Sequence, residues 1–435
     1  MVAGRRSLLL SMSGLIVACA GGPRARPVTP AEIPTLKAQA AQQPNNAQIR
    51  FRLAAGLMSA GRCDTAVVVA GAAQTLAPGD ALGPMVIGGC REKDGRYDLA
   101  FGTYTDFANK YPRARGVAAV RALAQFALRT QATQTAKLAL QSEASLTALP
   151  PEPFTVAVLP MTIAGDSSLQ PLSRGLAELL LTDLAMVRSL RMLERIQVGA
   201  LLDELKLSQS GRADPATAAR VGRLLRAERM VQGVASIQQN GPVRMSAAVV
   251  KGDGTVRSGA QVNGNFKQLL DLEKQLVFGL ATELGIQPTE AERQRIQRQG
   301  PKNLVAFLAY SNGLEALDRG DYRAALMHFN AAVRADPSFQ AAVQQQQAAA
   351  AAPAVQAGGG DVLTVVQAVQ DVAAPAEPAA EGALKQITVD VSTTVGDATG
   401  ANPISSTVSN TTPESQGISS VVQATAVIRI IFRRP

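Results

Sequence analysis

The chain contains 435 residues, a length typical of two or three domains, and 46% of its residues are hydrophobic. It has no Trp, one His and three Cys, so a histidine-based catalytic triad has a single candidate base and a zinc cluster has almost no ligands. The net charge of +9 is modest for this length and selects no class of partner by itself. The composition therefore argues against most metal-dependent and hydrolytic activities, and the sequence predicts no catalytic residue, metal ligand or cofactor.

The first 18 residues have the pattern of an export signal. A basic start precedes an apolar run over 7–17, which is too short to span a bilayer as a helix. The residues up to Cys19 (IVAC) resemble the lipobox of bacterial lipoprotein signal peptides, which implies that 1–18 is removed and that Cys19 is lipidated. The alternative is an ordinary signal peptide with a chance cysteine.

A lipid on Cys19 would anchor the protein at its start, and 19–45 would then contain the lipidated cysteine and a tether. Ala20 follows the cysteine where an Asp would mark inner-membrane retention, which by resemblance to Gram-negative lipoproteins favours the outer membrane. The predicted location is therefore the periplasmic face of the outer membrane, with the lipid as the membrane contact.

An exported protein is in a compartment where disulfides form, and Cys63 and Cys90 are the two remaining thiols. They either form a disulfide with each other or are two small buried helix residues. The sequence leaves both options open.

A repeat of 34 residues follows the tether. Small residues recur where one helix would touch the next, glycines where the chain would turn, and prolines where the second helix would end. The period and the residue types resemble the tetratricopeptide family, which implies helical repeats over 46–148, with a weaker third pair at 117–146. The signature positions are Gly61, Ala66, Pro78, Gly95, Ala100 and Pro112.

A second copy of the pattern lies far downstream and predicts one more repeat over 300–340. His328 lies on its second helix and is interpreted as a solvated or partly covered helix residue. Such repeats stack into a concave surface that binds peptides or proteins, although packing on the central domain alone would explain them equally well. The signature positions of this copy are Gly313, Gly320, Tyr322, Ala325, Phe329, Ala332 and Pro337.

Between the two helical regions, 152–287 predicts a central α/β (α+β) domain in three layers. The expected strands are 154–161, 190–196, 230–238, 242–251 and 255–263, with a turn at 252–254. The expected helices are 169–187, 198–207, 215–226 and 266–284, and Asp214 caps the third of them.

The order of these elements and several short motifs resemble the CsgG family of curli production and assembly lipoproteins, and also the N-terminal domain of TolB. The resemblance covers roughly 154–286 and implies the fold and an envelope location. It is carried by VAVLP, by LLTDL, by Leu201 to Glu204, by Ser210-Gly211 and by VQG at 231–233. The family-motif residues are Glu194, Arg195, Glu204, Gly222 and Gly233.

Physical roles for these residues are structural rather than catalytic. Gly222 allows a close approach of a helix, and Gly233 in a strand indicates a bulge or a tight contact. Asp183, Glu194 and Glu204 are interpreted as solvated helix faces and ion pairs rather than as an acid and base pair.

An arginine recurs every third residue at 220, 223, 226 and 229, and the spacing predicts a basic strip along one side of a helix. Such a strip would be solvated or would contact acidic lipid. Nucleic acid is not an expected partner of an exported protein.

The C-terminal segment, 341–435, is predicted to be low in complexity and largely disordered. Two stretches alternate like strands, 387–395 (ITVDVSTTV) and 421–432 (VVQATAVIRIIF). Either one could pair with an edge of the central sheet or with another subunit.

These observations predict a central α/β domain flanked by all-α helical repeats, in a protein that is not an enzyme. The favoured function is a lipid-anchored scaffold or adaptor that contacts other envelope proteins or peptides during envelope assembly or secretion. The alternative is a subunit of a CsgG-like oligomeric secretion channel in the outer membrane, which would make the protein a homo-oligomer. The short connections predicted between 154 and 286 favour the scaffold.

Overall fold

The computed structural model describes residues 26–205, 214–238, 241–257, 259–359 and 361–365. The predicted signal peptide, Cys19, Ser210-Gly211 and the two strand-like stretches at 387–395 and 421–432 lie outside the described residues. Helices and a small mixed sheet make up the described part, so the predicted mixture of α and β structure is confirmed.

The described chain begins with helices that pack in sequence order, each on the one before it. They alternate with short turns and bury a core made largely of Ala, Leu and Val. The helices are α1 (Ile33–Gln42), α2 (Ala47–Ser59), α3 (Cys63–Leu76), α4 (Leu82–Lys93), α5 (Tyr97–Lys110), α6 (Val117–Gln141) and α7 (Glu143–Thr147).

The third helical pair that was predicted at 117–146 is wrong. A single helix, α6, runs for 25 residues, and only the five-residue α7 follows it. No Gly or Pro interrupts 117–141, and its abundant Ala, Leu and Gln favour a continuous helix. The helix is therefore long enough to leave the first core and reach the central sheet.

The central domain contains one mixed sheet with the strand order β3-β1-β4-β5-β6. β4 is parallel to β1 along its first half and to β2 along its second half, and the strands from β4 to β6 form an antiparallel meander. The strands are β1 (Glu152–Val158), β2 (Thr162–Gly165), β3 (Arg191–Met192), β4 (Ala227–Ile237), β5 (Pro242–Lys251) and β6 (Ala260–Asn265).

Two of the predicted strands are much shorter in the structure, and one observed strand was not predicted. The stretch 190–196 contains only the two residues of β3, because Glu194 takes an extended conformation at ψ 136° and the next helix begins at Arg195. β2 was not predicted, since Pro160 separates it from β1. The last strand begins at Ala260 rather than at 255, where Val256 makes only an isolated bridge to Val250.

Helices cover both faces of the sheet and produce the predicted three layers. One face packs on two helices and a core rich in Leu and Val, and the other packs on two helices and on the end of α6. The first pair is α8 (Leu172–Leu184) with α11 (Leu269–Glu283), and the second pair is α9 (Arg195–Glu204) with α10 (Pro215–Leu225).

Four helices follow the sheet domain: α12 (Glu290–Arg298), α13 (Leu304–Asp318), α14 (Tyr322–Ala335) and α15 (Gln340–Ala357). The last of them contradicts the prediction that the chain is largely disordered from 341 onward. α15 is rich in Ala and Gln and buries small side chains on several sides, among them Ala348, Ala349 and Ala352. Contacts with neighbouring helices order this segment, although its composition alone indicated disorder.

α15 joins the two helical regions. It packs against α14 on one side and against α6 on the other. The helices therefore form one continuous array in the order α1 to α6, then α15, α14 and α13. The chain leaves this array after α6, builds the sheet domain, and returns to the array from its opposite end.

A disulfide joins Cys63 at the start of α3 to Cys90 on α4. Of the two options that the sequence left open, the structure contains the bridge. It ties two consecutive helical pairs together across 27 residues of chain.

Replacing both cysteines, as Cys63→Ser with Cys90→Ser, is expected to lower the free energy of unfolding by about 3 kcal/mol, because the open chain gains loop entropy. Urea unfolding measures the change. A thiol reductant should lower the stability of the parent protein by the same amount and leave the double variant unaffected. A parent protein that is insensitive to the reductant contradicts the prediction.

Candidate functional site at the junction of helices and sheet

α8 contains three charged residues, Arg174, Glu178 and Asp183, in an otherwise apolar helix. The helix lies between the sheet and the C-terminal helices, and nearly all of its residues are buried. Charges in such a place require partners, because an unpaired buried charge is strongly destabilising. Each of the three residues takes part in an ion pair with another element.

Arg195 is at the centre of the first group of charges. Its Nη1 and Nη2 atoms donate to the two carboxylate oxygens of Asp318 at 3.1 and 3.2 Å. Its Nε atom lies 3.3 Å from Glu178 Oε2, and Arg174 also pairs with Asp318. One guanidinium therefore connects the start of α9 with α8 and with the end of α13.

The electrostatics of this group favour the ion pairs. Burial by itself would lower the pKa of Arg195, but the carboxylates of Asp318 and Glu178 raise it above its ordinary value. Only 4% of the Arg195 surface is exposed. The bidentate geometry and the low exposure make this the kind of charged pair that is strongly destabilising to break.

Glu194 lies beside this group and is also buried. Burial raises the pKa of Glu194 to about 8, Glu178 adds to the increase, and Arg195 opposes it. The expectation that Glu194 is solvated is therefore wrong. Its carboxyl group is predominantly neutral near neutral pH, which avoids a second negative charge beside Glu178.

A second buried group of charges links α8 to α11. Lys274 pairs with Asp183 and lies 3.5 Å from Glu273 Oε2. Burial and then the Asp183 carboxylate raise the pKa of Glu273 well above its ordinary value. The group therefore places a carboxyl group whose protonated form is favoured, that of Glu273, beside the Asp183–Lys274 ion pair. Of the two roles expected for Asp183, the ion pair is present and the solvated face is not, since its side chain is fully buried.

A cavity of about 150 Å³ lies between α8 and the C-terminal helices. Its wall includes Glu178 and Asp183 from the two charged groups, together with Arg298, Ser338 and the fully buried Tyr310. The polar lining and the volume suit a few water molecules. The cavity therefore belongs to the same junction.

α6 completes the junction by passing from one core to another. Its first part, up to Ala132, is in the core of the first helices, whereas Ala136 and Ala139 pack with Leu201 and Leu202 of α9 in the core beneath the sheet. Phe126 of α6 also contacts the ring of Tyr322 on α14 at a centroid distance of 6.0 Å. α6 thus touches both the sheet domain and the C-terminal helices.

The predicted repeat positions occupy equivalent places in three helical hairpins, α2–α3, α4–α5 and α13–α14. Gly61, Gly95 and Gly320 end the first helix of each hairpin with φ between 72° and 76°. The small residues Ala66, Ala100 and Ala325 are fully buried on the second helix. Each proline follows its second helix at the second position beyond the helix end, at Pro78, Pro112 and Pro337.

The remaining positions of the downstream copy form the core of the α13–α14 hairpin. Gly313 faces Phe329, whose ring leaves no room for a side chain at 313. Phe329, Ala332 and most of Tyr322 are buried beside them, and His328 is half-buried on α14.

The other family-motif residues have local structural contacts. Glu204 lies 4.0 Å from Lys137 on α6. A side chain at Gly222 would place its Cβ atom 2.9 Å from Met230 Cγ, so glycine allows α10 to approach β4. Gly233 packs against Met161 and Ser246, and the register between β4 and β5 is regular there, so the tight contact rather than the bulge is present.

The predicted basic strip on one helix is wrong. α10 ends at Leu225, so only two of the four arginines are on the helix. Arg220 pairs with Glu143 of α7, Arg223 donates to the carbonyl of Gly252, and Arg226 takes a left-handed conformation at φ 54°. The helix ends early because the strand β4 begins at Ala227.

Sequence analysis did not identify Glu178, Asp318, Glu273 or Lys274. The signal for Glu178 was present, since a charge inside an apolar helix indicates a buried partner. Asp318 is more than a hundred residues away from Arg195, and no local pattern predicts that contact.

Over 26–205, 214–238, 241–257, 259–359 and 361–365, no three His, Cys, Asp or Glu side chains are grouped to hold a metal ion. Within that same part of the chain, no helix has both the length and the apolar character needed to cross a membrane.

Residues 128–246 match the family described as curli production assembly/transport component CsgG. The matched region begins in the middle of α6 and ends within β5, and it includes Arg195 and Glu178. It starts before the predicted domain boundary at 152, in agreement with the packing of α6 on the sheet domain. The match confirms the predicted CsgG resemblance and relates this region to curli production and envelope secretion. A comparison of the chain with curated proteins finds no match.

Arg195→Met is expected to lower the free energy of unfolding by about 3–5 kcal/mol, because it removes the buried guanidinium that pairs with both Asp318 and Glu178 and leaves Asp318 with Arg174 alone. The matched control is Arg319→Met, which removes an exposed partner of Glu315 and should change stability by less than about 0.5 kcal/mol. Chemical unfolding of both variants measures the difference, and equal effects would exclude Arg195 as the principal contact of the junction.

Glu194→Gln is expected to reduce the dependence of stability on pH. The pKa of Glu194 rises from 4.5 to about 8 on folding, so its contribution is complete below about pH 4.5 and is lost as the pH rises toward 8. Unfolding midpoints should therefore fall between about pH 5 and about pH 8 in the parent and fall less in the variant. Glu204→Gln, at the last residue of α9, is the control and should retain the parent's dependence.

Proposed function

We propose that this protein is a lipid-anchored scaffold or adaptor of the bacterial envelope that acts through protein–protein contacts in envelope assembly or secretion. The observation that carries the proposal is the buried Arg195 junction, which fixes the helical array to the domain that matches the curli assembly/transport family. Buried ion pairs and a shared helix hold the array in one position, as a binding surface of a scaffold requires.

The three equivalent hairpins support the proposal that the array is of the tetratricopeptide type and binds proteins or peptides. Their turns, buried alanines and terminal prolines recur at the same places. Apolar side chains are exposed on the second helix of the first hairpin, where Val68 is 72% and Leu76 is 42% accessible. These residues are candidate contacts for a partner.

The lipid anchor and the outer-membrane location are part of the proposal and depend on Cys19 and the sequence before it. The match to a curli assembly/transport family supports an envelope location. The tether was predicted to extend to 45, but Ile33–Gln42 forms α1 and packs in the array. The shorter segment between Cys19 and α1 would hold the array on the periplasmic side of the membrane.

We also propose that the protein is not an enzyme. The carboxylates that an acid and base pair would need at the junction are engaged with Arg195 and Lys274. These contacts favour a role in holding elements together over a role in proton transfer.

One observation favours a second candidate, a subunit of an oligomeric secretion channel. The family that matches 128–246 is described as a transport component. In this case several copies would assemble into a ring.

The test combines palmitate labelling, membrane fractionation and the native mass of the detergent-extracted protein, with Cys19→Ala as the variant. The scaffold proposal expects label in the outer-membrane fraction, loss of the label in the variant, and the mass of a monomer or dimer. A labelled ring of many copies would support the channel instead. Label and location that do not change in Cys19→Ala would overturn the lipid anchor.

A further inference from the structure

β6 is the last strand of the sheet, and within the described ranges it pairs only with β5. The amide of Phe266 donates to the carbonyl of Gly241 on the β5 side, and the amide of Asn265 donates to the side chain of Gln268. Because backbone groups alternate along a strand, those of Gln261 and Asn263 face away from β5. These two residues therefore present an open row of donors and acceptors.

The two faces of β6 differ in polarity. Gln261 and Asn263 have exposed side chains, whereas Ala260 and Val262 pack toward α11 and the core of the sheet. The approach of α11 is close, since a Cβ atom at Gly279 would lie 2.6 Å from Ala260 Cβ. A strand added beside β6 would thus have one apolar face beside α11 and one polar face toward solvent.

β6 lacks the features that usually protect an edge strand from pairing. Its six residues, AQVNGN, contain no charge and no proline. Proteins usually protect such an edge with a lysine, a proline, a bulge or a covering segment. We therefore expect another segment to cover this edge.

The stretch 387–395 has the matching pattern. Ile387, Val389 and Val391 alternate with Thr388, Asp390 and Ser392, which is the pattern of a strand with one buried face. The 21 residues of 366–386 can span up to about 70 Å, several times the radius of gyration of about 22 Å expected for a compact chain of this length. The stretch can therefore reach β6 within the same chain.

We propose that 387–395 adds to the open edge of β6 as a further strand, with Val389 and Val391 toward α11 and with Thr388 and Ser392 toward solvent. The added strand would complete the sheet and remove an edge that could otherwise pair with other chains. The C-terminal segment would then cover the sheet domain rather than act only as a linker.

The test measures hydrogen exchange of single backbone amides in the full chain. Gln261 and Asn263 should exchange at least roughly tenfold more slowly in the parent than in Val389→Lys/Val391→Lys, which places two charges on the buried face. Thr388→Lys/Ser392→Lys adds the same charges on the solvent face and should retain the protection. The amides of Val262 and Gly264 face β5 and report whether the fold is intact. Their exchange rates should be the same in the parent and in both double variants.

Three results would overturn the proposal. Fast exchange of Gln261 and Asn263 in the parent would show an uncovered edge. Equal loss of protection in both double variants would show that the sidedness is wrong. Protection that disappears on dilution, or that depends on 421–432 in a Val422→Lys/Ile428→Lys variant, would assign the edge to another chain or to the other stretch.

Discussion

The structure depends on one buried guanidinium. Arg195 begins α9, pairs with Glu178 of α8 and donates to both carboxylate oxygens of Asp318 on α13. Each of these groups is almost fully buried, so their charges are compensated mainly by one another rather than by bulk solvent. The directional hydrogen bonds between Arg195 and Asp318 therefore help to fix the position of the C-terminal hairpin on the sheet domain, in addition to apolar contacts. A purely apolar junction would tolerate sliding, whereas a bidentate pair has one favoured geometry.

α6 connects the same regions through apolar packing. It supplies small residues to the first helical core and then to the core beneath the sheet, so the two regions have no linker between them. α15 packs against the same helix from the C-terminal side. The sheet domain is thus inserted into a helical array whose two parts meet again. The family match, which begins within α6, includes part of this shared helix.

The junction contains buried carboxyl groups of two kinds, those with a raised pKa and those in ion pairs. Glu194 and Glu273 have raised pKa values because they lie near other carboxylates in a region with little water. Asp318 and Asp183 form ion pairs with Arg195 and Lys274. Two helices, α8 and α13, can therefore contain acidic residues without a net excess of negative charge in the core. Such a network suits a protein that must present a surface in a fixed orientation.

The sequence by itself determined the elements whose signals are local. The glycine and proline positions predicted the three hairpins in register, because a left-handed turn and a helix end need those residue types. The apolar runs predicted the buried strands and α8, and the motifs around Glu194 and Arg195 predicted the CsgG resemblance that the family match confirms.

Only the tertiary structure decided how these elements meet. α15 has no polar face to mark it as a surface helix, so its composition indicated disorder until α6 and α14 supplied its contacts. The same holds for Arg195, which lies 123 residues from Asp318, and for Cys63, for which the sequence left two options open. Contacts between residues that are distant in the chain depend on the packing of all the elements between them, and no local pattern contains that information.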